Sequence, residues 1–229
     1  LFNVLEAIVD NPDVQRLVWS SSASVYGDAV TEPMQESHPL NNTNFYGATK
    51  VAGEQFCRAY YYRYLNTPQE FDFVGLRYMN VYGARQDYKG AYIAVIMKIL
   101  DRLEKGLPPV IYGDGSQAYD FVNVVDCARA NIAAMKANVA DEFYNVGTGI
   151  KTTIKELVDL ILEITESDLT PIFEPSGQTF VKNRIGCPVK AEREIGYKHS
   201  VQLRDGLKDL IKWRNNHKSE VIHRRNAAE

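Results

Sequence analysis

Apolar positions along this chain switch between two spacings: short runs or alternations of strand type, and the i, i+3, i+4 recurrence of amphipathic helices. A helical stretch over residues 1 to about 10 leads to an apolar run at Leu17 to Ser20 that reads as a buried strand. A loop holding Pro33 and Pro39 separates it from a long helix predicted from about Tyr46 to Tyr64. Phe71 to Tyr78 reads as a second buried strand, followed by a helix near Tyr92 to Glu104 and a short strand at Val110-Ile111-Tyr112. Phe121 to Val125 is a predicted strand feeding a helix that Asp126 is expected to cap. Phe143 to Val146 is a further strand, and Thr153-Ile154-Lys155-Glu156 has the capping-box pattern that opens a helix carrying Leu157, Leu160, Ile161 and Ile164. The last helix is predicted from about Gln202 to Trp213, and the polar tail after Asn215, with His217, His223, Arg224 and Arg225, is expected to be disordered. Strands alternating with helices predict an α/β architecture, with no internal repeat and no clean linker.

Composition narrows the class without naming it. The 229 residues, 45% hydrophobic and 24% charged, suffice for one large domain or two small ones. A net charge of -3 argues against a broad nucleic-acid surface. No apolar run reaches the ~18 residues of a membrane span, and the first residues lack the basic, apolar and small-residue succession of a signal peptide, so a soluble protein with no membrane partner is expected. Cys57, Cys127 and Cys187 are widely spaced, odd in number and free of a Cys-x-x-Cys pattern, which suits the reducing cytoplasm better than a disulfide framework. His38, His199, His217 and His223 lack the helical pairing or acidic helper of a metal site, so no metal is expected. Gly147-Thr148-Gly149 has Thr152 where a dinucleotide-binding turn requires glycine, and Gly113-Asp114-Gly115 lacks the lysine of a phosphate loop, so both read as turns. Tyr60, Tyr61 and Tyr62 point in three directions on a helix and read as packing residues.

The chemistry concentrates in two segments. Tyr46-Gly47-Ala48-Thr49-Lys50 puts a phenol and an amine four residues apart on one helical face. A neighbouring ammonium favours phenolate and draws the phenol from ~10 toward working pH, where it can exchange a proton with a sugar or alcohol hydroxyl. Upstream, Ser20-Ser21-Ser22-Ala23-Ser24-Val25-Tyr26-Gly27 follows a buried strand, and the Ser22 hydroxyl is expected to hold the same substrate oxygen. Hydride transfer is the natural companion of such a proton exchange.

Six matches in order make the chain resemble the extended short-chain dehydrogenase/reductase family, in its nucleotide-sugar epimerase and dehydratase branch. They are Leu1-Phe2-Asn3-Val4-Leu5-Glu6-Ala7, the serine run ending Val25-Tyr26-Gly27, Tyr46 to Lys50, Leu76-Arg77-Tyr78-Met79-Asn80-Val81-Tyr82-Gly83, Gly113-Asp114-Gly115-Ser116-Gln117 with Asp120-Phe121, and Tyr144-Asn145-Val146-Gly147. The likeness runs from residue 1 to about Trp213 and implies a partial Rossmann-like, doubly wound parallel sheet with a smaller α/β substrate-binding domain. The implied division is 1–82 with about 120–147 for the cofactor domain, 83–119 and 148–215 for the substrate domain, and 216–229 for the tail. The family's glycine-rich phosphate turn, an early asparagine and the acidic ribose ligand lie before the region matched by Leu1, so the chain is expected to be a fragment, a truncated product or a partly described protein.

The resemblance also implies roles. Ser22, Tyr46 and Lys50 are the catalytic group, and Ser20, Tyr46, Lys50 and Tyr78 contact a nicotinamide cofactor, NAD with NADP not excluded. Ser24 and Asn80 meet the substrate, Ile111 and Tyr112 flank its base, and Arg184 neutralises phosphate, a task suited to a guanidinium fork. The family usually has arginine where this chain has Tyr119, and an Arg-Pro-Gly-Asp-like segment where it reads Arg184-Ile185-Gly186-Cys187, so Tyr119 is a candidate substrate contact with an altered character. The 4,6-dehydratases place an acidic pair where Ala23 and Ser24 stand, and sugar-acid decarboxylases put glutamate at Ser24. Alanine transfers no proton and serine is a poor acid or base, so the pattern points to a UDP-glucose 4-epimerase-like enzyme that removes and returns a hydride at carbon 4. A 4-keto-sugar reductase and a noncatalytic dimerisation module are the alternatives. The partner is expected to be a nucleotide-diphosphate sugar, and a second copy is expected to dock through the helices at 1–10 and 46–64. The 229-residue chain alone is expected to bind NAD weakly or not at all, and calorimetric titration of mass-verified protein giving micromolar one-to-one binding would overturn that.

Overall fold

The computed structural model describes residues 1–86, 95–175 and 181–220. In chain order it contains α1 (Phe2–Val9), β1 (Arg16–Ser22), α2 (Phe45–Tyr64), β2 (Asp72–Tyr78), β3 (Asn80–Tyr82), α3 (Val95–Glu104), β4 (Val110–Tyr112), β5 (Ala118–Tyr119), β6 (Phe121–Asn123) and α4 (Val124–Lys136). These are followed by β7 (Glu142–Val146), β8 (Thr152–Thr153), α5 (Ile154–Ile164), β9 (Ile172–Glu174), β10 (Asn183–Arg184), α6 (Val189–Ile195) and α7 (Leu203–Asn216).

Continuous burial of residues 73–77 makes β2 the central strand of a parallel sheet in the order β1-β2-β7. Its two faces separate by the two-residue period. Val74 and Leu76 join Val18, Tyr144 and Val146 against Cys127, Ala130 and Ala134 of α4, whereas Phe73 joins Leu17, Trp19 and Phe143 against Cys57 of α2. Helices therefore cover both faces, as a doubly wound sheet requires. A second core gathers Ile96, Met97, Ile99 and Leu100 of α3, Leu157, Val158 and Ile161 of α5, and Leu207 and Leu210 of α7. Tyr82 and Phe121 belong to this second core and lie on β3 and β6, which pair in parallel beside the first.

The capping box opens α5 as the sequence predicts, with Thr153 Oγ1 accepting from Glu156 N–H at 3.1 Å and Glu156 Oε2 accepting from Thr153 N–H at 2.7 Å. The start of α4 requires a correction. Asn123, not Asp126, is the cap: its side-chain oxygen accepts from Val125 N–H at 2.9 Å, so Val124 and Val125 are helical and not strand. Asp126 is instead fully buried and accepts hydrogen bonds from Ser200 and Val201. Strands β3, β5, β8, β9 and β10, of two or three residues each, are too short to leave an alternation in the sequence. Helix α6, ended by Gly196 in the left-handed region at φ 69°, is likewise additional to the sequence prediction. The predicted helix near Tyr92 is described from Val95. The expected disorder after Asn215 is corrected at its start, where α7 continues to Asn216 and the His217 ring stacks on Trp213, and the tail from 221 onward lies outside the described residues. No helix among the described residues is long and apolar enough to cross a membrane.

Gly75 on β2 stands in register with Phe143 on β7, and a Cβ at this position would collide with the Phe143 ring. Gly75→Ala should therefore cost about 1–3 kcal/mol through overpacking, read as a lower urea midpoint at unchanged m-value.

Candidate active site

The carboxyl end of β1 turns directly into a single 3-10 turn, Ala23–Val25. Ser22, in extended conformation at φ -155° and ψ 148°, caps that turn through Oγ, which accepts from Ser24 N–H at 3.1 Å. The α2 helix begins beside it. Asn44 caps α2, its Oδ1 accepting from Gly47 N–H at 2.7 Å. A Cβ at Gly47 would lie 2.6 Å from the Ser24 carbonyl oxygen, so only glycine lets the first turn of α2 approach the 3-10 turn this closely. That approach sets Tyr46 next to the serine segment.

One turn further along α2, Lys50 Nζ donates to the Ser20 carbonyl at 2.8 Å and lies 5.5 Å from the centre of the Tyr46 ring. The same ammonium lies 4.9 Å from the centre of the Trp19 ring. The predicted juxtaposition of amine and phenol-bearing ring is thus present. Burial pulls the Lys50 pKa below its ordinary value. Tyr78, at the end of β2 and in register with Ser22, accepts from Asn131 Nδ2 at 2.7 Å, and burial raises its pKa against the opposing influence of the Ser20 side chain and Asn131. Ser20, Tyr78 and Lys50 therefore adjoin one another at the carboxyl edge of the sheet, which is where open α/β sheets bind their ligands.

A second group forms around Asp120. Asn80 N–H donates to the Asp120 carbonyl at 2.9 Å, and Asp120 N–H donates to the Arg184 carbonyl at 3.0 Å. Tyr119 stands in register with Arg184 across β5 and β10. The fully buried Asp120 carboxylate accepts from Thr148 N–H at 2.9 Å, Thr148 Oγ1 at 2.7 Å and Gly149 N–H at 2.9 Å. Burial raises its pKa, while these hydrogen bonds oppose the rise. The sequence marks this aspartate only as part of the Asp120-Phe121 match and gives it no role, yet its backbone gathers Asn80 and Arg184, with Tyr119 beside them, at one place. Burial likewise depresses the Arg184 pKa, against the attraction of Tyr119, Asp28 and Tyr46.

Three polar atoms of these groups are buried without a hydrogen-bond partner among the described residues: Ser24 Oγ, Asn80 Nδ2 and Arg184 Nε. Buried polar groups left unpaired are costly, so their coincidence here marks a place for a polar ligand. Tyr119 differs, because its hydroxyl donates to the Val181 carbonyl at 3.0 Å. The base-flanking expectation divides. Ile111 is packed inside the second core, whereas Tyr112 is 53% exposed, so only Tyr112 presents its side chain to solvent. Among the described residues, no group of histidine, cysteine, aspartate and glutamate side chains could hold a metal ion. A cavity of about 280 Å³ lies behind the serine segment, lined by Glu54, Arg77, Arg58, Glu36, Glu142 and Lys190 among others.

Among the described residues the desolvated Arg184 Nε finds no hydrogen-bond partner, which costs the unliganded fold stability. Arg184→Met should raise the melting temperature by ~2–4 °C per kcal/mol relieved, and calorimetry showing a fall instead would mean that the guanidinium is satisfied.

The family model described as NAD dependent epimerase/dehydratase matches residues 1–147. A putative UDP-glucose 4-epimerase of Methanocaldococcus jannaschii is 35% identical over 93% of this chain and 67% of its own length. The solved UDP-N-acetylglucosamine 4-epimerase of Methanobrevibacter ruminantium, in complex with UDP-N-acetylmuramic acid, superposes with a TM-score of 0.87 at 29% identity, covering 94% of this chain and 67% of that one. The UDP-glucuronic acid 4-epimerase of Bacillus cereus, in complex with UDP-glucuronic acid and NAD, superposes with a TM-score of 0.81 at 28% identity, covering 93% of this chain and 65% of that one. The chain thus spans about two thirds of the length of these proteins. The serine segment, the Tyr46 to Lys50 pair and the doubly wound sheet all lie inside the matched region, and the chain belongs to the NAD dependent epimerase/dehydratase family.

Proposed function

We propose that this chain carries the acid/base machinery and the substrate lobe of a nucleotide-sugar 4-epimerase. The observation that carries the reading is the environment of Ser22. The two residues after it, Ala23 and Ser24, are buried in the 3-10 turn and provide no carboxylate. The carboxylate that does reach this segment, Glu54, is taken up by Ser21 and Arg77. Loss of water needs a positioned acid and base at the sugar, and these positions supply neither.

Tyr46 removes the proton from the 4-hydroxyl and returns it, and Ser22 holds that oxygen by a hydrogen bond. Lys50, anchored on the Ser20 carbonyl, holds its ammonium 5.5 Å from the centre of the Tyr46 ring. NAD, when bound, supplies reversible hydride acceptance at carbon 4. Ser20, Tyr78 and Lys50 fit such a group, since they converge at the carboxyl edge of the sheet. The unpaired Ser24 Oγ, Asn80 Nδ2 and Arg184 Nε fit the hydroxyl and phosphate oxygens of a nucleotide-diphosphate sugar. NAD and UDP-sugars in related solved enzymes support both assignments.

The two cores support a division into a cofactor-facing domain, 1–82 with about 120–147, and a substrate domain, 83–119 with 148–215, although α6 packs on β7 and α4 of the first. The reading includes a homodimer. Phe2 and Val4 on α1, with Phe45, Phe56 and Tyr62 on α2, are exposed apolar side chains, and α1 packs against α2. Three free cysteines fit a cytoplasmic protein.

Product analysis of the full-length protein with NAD and a panel of nucleotide hexoses should show inversion at carbon 4, no loss of water and no net consumption of cofactor. Stoichiometric nicotinamide oxidation or reduction would point to a 4-keto-sugar reductase, and a product lighter by one water would overturn the argument from Ala23 and Ser24. Tyr46→Phe should lose most turnover, about 100-fold or more in kcat, while retaining sugar binding.

A further inference from the structure

Glu54 lies four residues beyond Lys50 and eight beyond Tyr46, on the same stripe of α2, but it is only 1% exposed. Its Oε1 accepts from Ser21 Oγ at 2.5 Å and from Arg77 Nε at 2.9 Å, and its Oε2 accepts from Arg77 Nη2 at 2.7 Å. Arg77, itself buried, stands in register with Ser21 on one side and Asn145 on the other across β1-β2-β7. Its Nη1 donates to the Tyr26 hydroxyl at 3.0 Å and to the Glu36 carbonyl at 2.9 Å. The Tyr26 hydroxyl in turn donates to Asn145 Oδ1 at 2.7 Å.

Ser21 immediately precedes the segment 22–25, and Tyr26 immediately follows it. The network therefore grips the serine turn at both ends and fastens it to the helix that carries Tyr46 and Lys50. Burial of Arg77 acts to lower its pKa, but the bonds to Glu54 and Tyr26 outweigh it and hold the guanidinium charged. Tyr26, buried beside it, has its pKa pushed up to about 12 and stays a neutral donor. Arg77 and Tyr26 are thus each hydrogen-bonded in a fixed protonation state, the condition under which a buried polar network specifies one geometry.

We infer that Glu54 and Arg77 are positioning residues, which through Ser21 and Tyr26 set the placement of the Ser22 hydroxyl relative to the Tyr46 phenol. A buried ion pair is weak evidence for stability, because well-packed apolar side chains often replace one without loss. Its distinctive effect here is geometric. The inference rests on the roles proposed for Ser22 and Tyr46, and a misplacement of about 1 Å between such groups can cost on the order of 100-fold in rate.

The test uses the full-length protein with NAD and its nucleotide sugar. The double variant Glu54→Leu with Arg77→Met removes both charges together, so neither is left buried alone. It should melt within about 5 °C of wild type, lose about 100-fold in kcat and change KM by less than about threefold. Arg77→Lys, which keeps the charge and loses the fork, should fall between the two. A folded double variant with wild-type kcat would overturn the inference. Should the double variant fail to fold, Tyr26→Phe decides in its place: it removes only the hydroxyl joining Arg77 to Asn145 and should lower kcat about tenfold at unchanged KM, and unchanged kcat would overturn the inference. Crystal structures of wild type and variant provide a readout that does not depend on turnover. The separation of Ser22 Oγ and Tyr46 Oη should change, and an unchanged separation overturns the inference even if the wild-type protein epimerises none of the sugars. Absence of epimerisation by the wild type would count against the proposed function alone.

Discussion

The parallel register between β1 and β2 runs unbroken from Arg16 opposite Asp72 to Ser22 opposite Tyr78, and the candidate site depends on it. With this register Ser22 stands opposite Tyr78, which bonds to Asn131 of α4, while Ser21 stands opposite Arg77, and both bond to Glu54 of α2. A slip of one residue would exchange the two faces and bring the serine hydroxyls to the wrong helices. The amino end of the register is locked by Arg16, which makes a fork with Asp72 and also donates to the Val139 carbonyl at 2.8 Å in the segment entering β7. The ladder is thereby anchored some twenty ångströms of strand away from the residues it aligns, by the ~3.3 Å rise per residue of a parallel strand.

Two buried carboxylates organise what the sheet presents. Glu54 ties a helix to the strand end and the turn beyond it, whereas Asp120 ties the loop at Thr148 and Gly149 to the place where Asn80, Tyr119 and Arg184 converge. Both solve the same problem. A loop carrying chemistry has few apolar contacts to hold it, and a desolvated carboxylate accepting several hydrogen bonds fixes backbone N–H and hydroxyl groups at defined points. Asp120 is the more exposed to failure, since every listener to its charge is a neutral donor, while Glu54 is matched by the Arg77 guanidinium.

Three of the buried polar atoms that find no partner among the described residues belong to the candidate site, whereas the supports around Glu54 and Asp120 are bonded. Among the described residues Ser24 Oγ, Asn80 Nδ2 and Arg184 Nε find no partner, whereas Ser21, Arg77, Tyr26, Asn145 and Asp120 are bonded to one another or to backbone. A binding site needs precisely oriented groups with capacity left to bond a ligand, and such capacity comes at the expense of the unliganded fold. Tyr119 has crossed from one class to the other. Its hydroxyl is bound to Val181, so at this position the chain has a structural hydrogen bond where related enzymes are expected to have a charge.

Local chemistry by itself determined much of this protein. The helix stripe of Tyr46 and Lys50, the capping box at Thr153 and Glu156, and the buried runs of β2 and β7 follow from spacing, because each depends on residues within a few positions of one another. The run at Leu17 to Ser20 forms strand β1 as expected but is not buried: Leu17, Val18 and Trp19 are half-buried and Ser20 is exposed, since β1 lies at one end of the described order β1-β2-β7. The third member of the α2 stripe, Glu54, was equally visible, but its meaning was not, since its partner Arg77 is 23 residues distant and is brought beside it only by the strand register. The role of Asp120, though not the residue itself, and the two-residue strands β5 and β10 escaped for the same reason, as did the cap at Asn123, while Asp126, which the sequence offers as the cap, is drawn inward by burial against Ser200. The tertiary structure alone decided which hydroxyls are held and which are free, because hydrogen bonds between distant segments depend on how closely backbones approach, as Gly47 approaches Ser24, and spacing along a chain carries no record of that distance.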